Sequence, residues 1–126
     1  MPGRGGPRDS RRHLGRLGEE AAVRFLEARG YSILARNYRC RWGEIDIVAR
    51  QGDTLVFVEV RTRTGVYLGA PQESLDPRKQ SRLRRLAAYY LHRHGLGEVD
   101  CRFDVVAITV EAGGKNLKLE LFVNAF

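Results

Sequence analysis

Two acidic residues stand at matching positions on two neighbouring segments that are rich in isoleucine and valine. Asp46 lies in the segment 44–50 and Glu59 in the segment 54–61, and the turn signal Gln51-Gly52-Asp53 separates the segments. If a two-residue loop closes this hairpin, the two acidic residues are opposite each other, with Cβ atoms about 4.5–5.5 Å apart. Two carboxylates at that spacing can share one divalent cation. The hairpin is therefore a candidate metal site.

An ion-pair network offers a second explanation for the same charges. Adjacent carboxylates repel each other and lose hydration, so a compensating cation must stand nearby. The predicted pairing sets Glu44 opposite Arg61, and Asp46 can reach Arg39 or Arg41. The spacing alone leaves both explanations open, because acidic pairs on strands often have no catalytic role.

The hairpin belongs to a series of predicted helices and strands. Apolar residues at spacings of three and four predict a helix that stops at Gly30, and Asp76-Pro77 supplies an N-cap and a first residue for a second helix. Alternation along the second strand predicts that Ile45 and Ile47 share the face opposite to that of Asp46. The predicted elements are a helix over about 14–29, strands over 31–39, 44–50 and 54–61, a helix over about 77–93, and strands over 102–110 and 117–123. This α-β-β-β-α-β-β order predicts an α/β domain whose mixed sheet is flanked by helices.

Length and charge limit the class of protein. The chain has 126 residues, with 22 Lys and Arg against 15 Asp and Glu, and 19 of the 22 cations are Arg. We expect one folded domain over 14–126, preceded by a flexible basic arm over 1–13 that has four Arg and few apolar residues. A net charge of +7 that comes mainly from arginine favours a polyanionic partner such as nucleic acid. The sequence has no long apolar span, secretory signal or cysteine framework, which predicts a cytoplasmic protein without a membrane partner.

The second predicted helix carries a strip of basic side chains. Its members are Lys79, Arg78, Arg82 and Arg85. Such a strip can follow a phosphate backbone, or it can be an ordinary solvated helix face. The positive charge that remains outside the arm favours the first interpretation, so these four residues are predicted to bind nucleic acid.

Two motifs on the hairpin resemble those of a known family. Gly43-Glu44-Ile45-Asp46 and 57–63, which reads Phe-Val-Glu-Val-Arg-Thr-Arg, are similar to the GEID and FVEVKxR motifs of the YraN-like family of uncharacterised bacterial proteins. That family is similar in fold to the PD-(D/E)XK endonucleases and to archaeal Holliday-junction resolvases. Further matches follow in order along the chain: Gly15, Gly18, Glu19, Ala22, Leu26, Gly30, Tyr31, Arg36, Asn37, Gly69, Pro71, Glu73, Lys79 and 102–106.

The resemblance implies a restriction-endonuclease-like core and a set of site residues. Carried over residue by residue, the catalytic set is Asp46, Glu59 and Arg61, and the metal ligands are Glu19, Asp46 and Glu59. Oxygen ligands favour Mg²⁺ or Mn²⁺, which would polarise a phosphoryl oxygen and lower the pKa of a bound water. Arg61 stands where the nuclease motif has lysine, and it remains charged at any working pH. It can therefore clamp a phosphate but cannot accept a proton.

These implications lead to one principal expectation and two alternatives. We expect a Mg²⁺- or Mn²⁺-dependent endonuclease that acts on DNA rather than RNA, with branched or single-stranded DNA as candidate substrates. The first alternative is a catalytically inactive nucleic-acid-binding module with a nuclease-like fold. The second is a structural partner in a larger complex that docks through the basic arm. The sequence leaves the oligomeric state open, a homodimer included.

Overall fold

The computed structural model describes residues 7–64, 77–111 and 116–126. The predicted elements are present in the predicted order: α1 (Pro7–Ala28), β1 (Ser32–Cys40), β2 (Gly43–Gln51), β3 (Thr54–Thr64), α2 (Pro77–Arg93), β4 (Cys101–Val110) and β5 (Leu117–Phe122). Three residues that match the family pattern, Gly69, Pro71 and Glu73, lie outside the described ranges. In the ranges that are described, neither helix contains a stretch long and apolar enough to cross a membrane.

Helix α1 begins seven residues earlier than predicted, so it includes part of the predicted basic arm. Residues 7–13 are helical. Pro7 suits the first position of a helix, and Asp9 stands in the first turn, where the helix dipole favours a negative charge. Extending an existing helix adds one hydrogen bond for each residue ordered, so these turns need no apolar surface of their own. Residues 1–6 of the predicted arm lie outside the described ranges.

The five strands form one mixed sheet in the order β1-β2-β3-β4-β5. Strands β3 and β4 are parallel, and the other neighbouring pairs are antiparallel. The parallel pair needs a crossover connection, which α2 supplies between β3 and β4. This arrangement confirms the predicted α/β class and is consistent with a nuclease-like core.

Each helix covers one face of the sheet. On the first face, α1 packs through Ala22, Val23 and Leu26 onto a cluster that includes Ile47, Ala49, Val56, Val58, Val106 and Ile108. On the second face, α2 packs through Leu83, Leu86, Ala87 and Tyr90 onto Ile45, Val48, Leu55 and Phe57. The approach of α1 is close at Gly18, where a Cβ atom would lie 2.9 Å from the Thr62 hydroxyl. Burial of both faces explains why β2 and β3 are almost continuously apolar.

The alternation of side chains on β2 breaks at Asp46. Ile45 packs with α2 and Ile47 packs with α1, so the prediction that both isoleucines share a face is wrong. On the neighbouring strand, Asn37 has a φ of 51°, in the left-handed region that asparagine tolerates better than most residues. On β1, Arg36 pairs with Ile47 of β2, and Tyr38 pairs with Ile45. Asn37 lies between these two residues and therefore stands opposite Asp46. A local irregularity of both strands thus coincides with the aspartate.

Candidate active site

The two carboxylates lie where β2 and β3 separate. Cα pairing between the strands runs from Gln51 with Thr54 to Ile47 with Val58, which confirms the predicted two-residue loop and register. Asp46 is the next residue on β2 and Glu59 the next on β3, one step beyond the last pair. From that point β2 continues its pairing with β1, and β3 continues its pairing with β4. The separation opens a gap between two otherwise buried strands.

A backbone hydrogen bond fixes the Asp46 side chain in this gap. The Val60 N–H of β3 donates to Asp46 Oδ2 over 2.8 Å. The Asp46 side chain therefore accepts a hydrogen bond from β3 at the point where the backbone pairing of β2 and β3 ends. This bond holds its carboxylate beside Glu59. The orientation is set by the main chain of β3, which the buried residues on both sides of the sheet keep rigid.

Asp46 holds its proton far more tightly than an exposed aspartate. Burial raises its pKa from the ordinary 3.8 to about 7, and the nearby charge of Glu59 contributes to the rise. The Val60 N–H lowers the pKa, whereas the charges of Glu44 and Glu19 raise it further. Near neutral pH this carboxylate is therefore on the boundary between its neutral and charged forms. A cation placed beside it would favour the charged form.

Two basic side chains converge on Glu59. Its Oε2 lies 2.6 Å from Lys79 Nζ and 4.0 Å from Arg61 Nε, and only 13% of the glutamate side chain is exposed. The sequence pattern predicted that Lys79 belongs to the basic strip of α2. In the structure, the helix directs this side chain to the site formed by Asp46 and Glu59. The signal was its spacing: Lys79 stands four residues before Leu83 and seven before Leu86, on the buried stripe of α2.

The predicted ion-pair network forms only in part and with different partners. Glu44 pairs with Arg39 over 3.0 Å and not with Arg61, the predicted partner. Arg61 lies beside Glu59 instead. Asp46 makes no ion pair with any residue that the structure describes, so the predicted contact with Arg39 or Arg41 is wrong for that part of the chain. Ion pairs therefore compensate Glu44 and Glu59. Asp46 has no such cation among the described residues.

Asp104 is an aspartate whose charge is fully compensated by hydrogen-bond donors. Asp104 is completely buried, and Arg102 Nε donates to its Oδ1 over 2.9 Å. The Tyr31 hydroxyl donates to Oδ2 over 2.8 Å, and the Asn124 N–H donates to Oδ1 over 2.9 Å. This network ties β4 to the end of α1 and to the C-terminal turn, which is a structural role. Among the described residues, the Val60 N–H is the one hydrogen-bond donor to Asp46.

The structure gives Glu19 partners of its own. Asn37 Nδ2 donates to Glu19 Oε1 over 2.8 Å, and Arg36 lies 3.6 Å from the same oxygen. Among the described residues, no three acidic, histidine or cysteine side chains are placed together to hold a metal ion. Glu19 is close enough to raise the pKa of Asp46, but its role as a ligand stays a prediction. Asn37 was not assigned a role from the sequence, although it donates to Glu19 and stands opposite Asp46 in the register of β1 and β2.

The chemistry of Asp46 and Glu59 fits a hard divalent cation. Mg²⁺ commonly takes only one or two protein carboxylates and completes its shell with water and substrate phosphate. Two carboxylates in a gap of the sheet meet that requirement, and the charge of Glu59 adds to the effect of burial in raising the pKa of Asp46. Lys79 is held by one of the two proposed ligands, so a metal and this lysine would share Glu59.

The remaining members of the basic strip lie together on the outside of α2. Arg78, Arg82 and Arg85 follow each other at spacings of four and three, and all three are exposed. They line a groove on the protein surface. The strip predicted from the sequence therefore divides into a group of three arginines at the surface and a lysine in the carboxylate site.

Comparison with known proteins identifies relatives over nearly the whole chain. The model of the uncharacterised protein family UPF0102 matches residues 18–108. A UPF0102 protein of Pelotomaculum thermopropionicum is 54% identical over 118 residues, which cover 94% of this chain and 98% of the relative. A UPF0102 protein of Moorella thermoacetica is also 54% identical, over 93% of this chain and 98% of the relative. These names give no activity.

Proposed function

Because this chain belongs to the uncharacterised protein family UPF0102, whose name gives no activity, we propose a function from the site itself. The proposal is a Mg²⁺- or Mn²⁺-dependent endonuclease that hydrolyses phosphodiester bonds in DNA. Asp46 carries the proposal, since it is a half-buried carboxylate beside Glu59 with a pKa of about 7 and no ion pair with any described residue. A purely structural aspartate in this position is expected to have the donors that Asp104 has.

Each residue of the site has a defined part in this proposal. Asp46 and Glu59 would hold the metal, which when bound polarises a phosphoryl oxygen and lowers the pKa of a bound water. The Val60 N–H keeps the aspartate oriented. Lys79 and Arg61 bring two positive charges to the same gap, where they can counter the negative charge of the phosphate that is being cleaved. Prepositioned charges of this kind need no rearrangement during the reaction.

A nucleic-acid-binding module without catalysis is the second candidate. Its support is the cation already present at Glu59, because Lys79 at 2.6 Å compensates that carboxylate without a metal. The substitution of arginine for the motif lysine at position 61 also favours it, since arginine cannot exchange a proton. The exposed arginines of α2 could then bind a phosphate backbone independently of the carboxylates.

A cleavage assay distinguishes the two candidates. Full-length protein is incubated with labelled four-way, flap, duplex and single-stranded DNA and with single-stranded RNA, in Mg²⁺, Mn²⁺ or EDTA. We expect metal-dependent cleavage of at least one DNA, a loss of roughly 100-fold or more in Asp46→Asn, and no loss in Asp53→Asn, an exposed aspartate of the adjacent turn. Equal cleavage by wild type and Asp46→Asn refutes the site. Binding without cleavage of any substrate supports the second candidate instead.

A further inference from the structure

The single tryptophan of the chain is exposed among arginines. Trp42 lies in the turn between β1 and β2, and 41% of its surface is open to solvent. The guanidinium carbon of Arg41 lies 5.1 Å from the ring centroid, and that of Arg85 lies 5.4 Å away. The carboxylate site does not use this side chain. An exposed indole with two cations nearby has the two elements of a nucleotide site: a surface on which a base can stack and positive charge for its phosphates.

Trp42 and the outer face of α2 together line a groove of about 490 Å³. The other described residues that line it are Pro77, Arg78, Ser81, Arg82 and Arg85. Three of these six residues are arginines, and none of the six is acidic. The volume lies within the range of small-molecule sites, about 300–1,000 Å³. The groove therefore suits an anionic ligand with a flat aromatic part.

The turn that carries Trp42 packs against α2. Gly43, the next residue, has a φ of 136°, a conformation that side chains disfavour. A Cβ atom on Gly43 would lie 3.6 Å from Leu86 Cδ1 and 3.9 Å from Arg82 Cδ, so the turn is in close contact with α2. The stacking surface and the arginines are thus positioned relative to each other by backbone packing, before any ligand binds.

We propose that this groove binds an unpaired nucleotide, with its base stacked on Trp42 and its phosphates held by Arg78, Arg82 and Arg85. Bases in a duplex already stack on their neighbours, so only a single-stranded or splayed segment can offer a base to the indole. This proposal names a substrate class for the proposed function, single-stranded or branched nucleic acid, and in that respect it rests on the proposed function. The same helix directs Lys79 to Glu59, so a strand held in the groove lies next to the carboxylate site.

Tryptophan fluorescence tests this proposal directly, because Trp42 is the sole source of the signal. Full-length protein is titrated in EDTA, which prevents metal-dependent cleavage, with an oligothymidylate of about 12 nucleotides. We expect saturable quenching by this strand and by the matching RNA, since base and phosphate are common to both. A duplex of the same length and an abasic strand should quench much less at equal occupancy. Absence of quenching by the oligothymidylate, or equal quenching by a polyglutamate of the same charge, overturns the proposal.

Substitutions in the groove identify the side chains that contribute to binding of the strand. By fluorescence anisotropy of a labelled strand, Trp42→Ala should weaken binding about tenfold, and Trp42→Phe should recover part of the loss. Arg85→Ala should also weaken binding and should flatten the dependence of affinity on salt by about 0.7 on a log–log scale. Arg84→Ala is the matched control, because Arg84 is the adjacent residue but its guanidinium carbon lies over Phe103 and Phe126, at 6.0 and 5.4 Å from the ring centroids.

The outcomes separate this proposal from the endonuclease proposal. Unchanged affinity in Trp42→Ala, or an equal loss in Arg84→Ala and Arg85→Ala, overturns the groove even if the protein cleaves DNA. Quenching that depends on Trp42 and Arg85 supports the groove even if no substrate is cleaved. Circular dichroism melts of each variant show whether the fold is intact, which is expected because the substituted side chains are exposed.

Discussion

Asp46→Asn should make the protein more stable at pH 8 and inactive as a nuclease. In the folded protein the pKa of Asp46 is about 7, against an ordinary value of 3.8, so the fold binds this proton more tightly than the unfolded chain does. The stability linked to this group is fully present below pH 3.8 and is lost as the pH rises through 7. A difference of about three pH units corresponds to about 4 kcal/mol of unfolding free energy, as an upper value. Asparagine is neutral throughout and retains an oxygen that can accept the Val60 hydrogen bond.

Urea unfolding from pH 5 to pH 8 measures this effect. The unfolding free energy of Asp46→Asn should exceed that of wild type by an amount that increases with pH and levels off above the pKa of Asp46. Asp53→Asn, in the exposed turn, is the control and should follow wild type at every pH. If wild type and Asp46→Asn give parallel curves, or if wild type is the more stable at pH 8, the aspartate is already compensated. The interpretation of its raised pKa would then be wrong.

Three further predictions concern the metal, the motif arginine and the buried residue Asp104. At pH 8, Mn²⁺ at about one hundred times its dissociation constant should stabilise wild type by about 2.7 kcal/mol and leave Asp46→Asn unchanged in thermal melts. Arg61→Lys should keep or raise the cleavage rate because the positive charge remains, whereas Arg61→Ala should lose most of it; single-turnover rates measure both. Tyr31→Phe should lower the unfolding free energy by about 1–3 kcal/mol, because buried Asp104 loses a hydroxyl donor, and urea titration against Tyr89→Phe checks this.

The order of elements and the hairpin register could be predicted because both depend on local signals. The turn at Gly52-Asp53 fixes which residues of β2 and β3 face each other, and the observed pairing follows from that loop length. The start of α1 was misplaced because the composition of residues 7–13 indicates only that they lack apolar surface. Composition does not reveal that a helix continues beyond its apolar segment.

The details of the site depended on contacts that no single segment reveals. The change of face between Ile45 and Ile47 accompanies a left-handed residue on the neighbouring strand, Asn37, which strand alternation does not predict. Lys79 could have been separated from the arginines by its place on the apolar stripe of α2, but its contact with Glu59 depends on how the helix docks on the sheet. Helix periodicity therefore indicates the direction of the side chain, whereas its partner depends on tertiary packing.

The cleavage chemistry assigned to Asp46 and Glu59 is tested most directly by one rate measurement. The single-turnover rate of cleavage of the best DNA substrate is compared, in Mn²⁺, between wild type, Asp46→Asn and Glu59→Gln. Both substitutions remove a negative charge from the gap without removing the side chain. We predict that each lowers the rate by roughly 100-fold or more while the variants stay folded. Rates equal to that of wild type in both variants would contradict the assignment of these two carboxylates to catalysis.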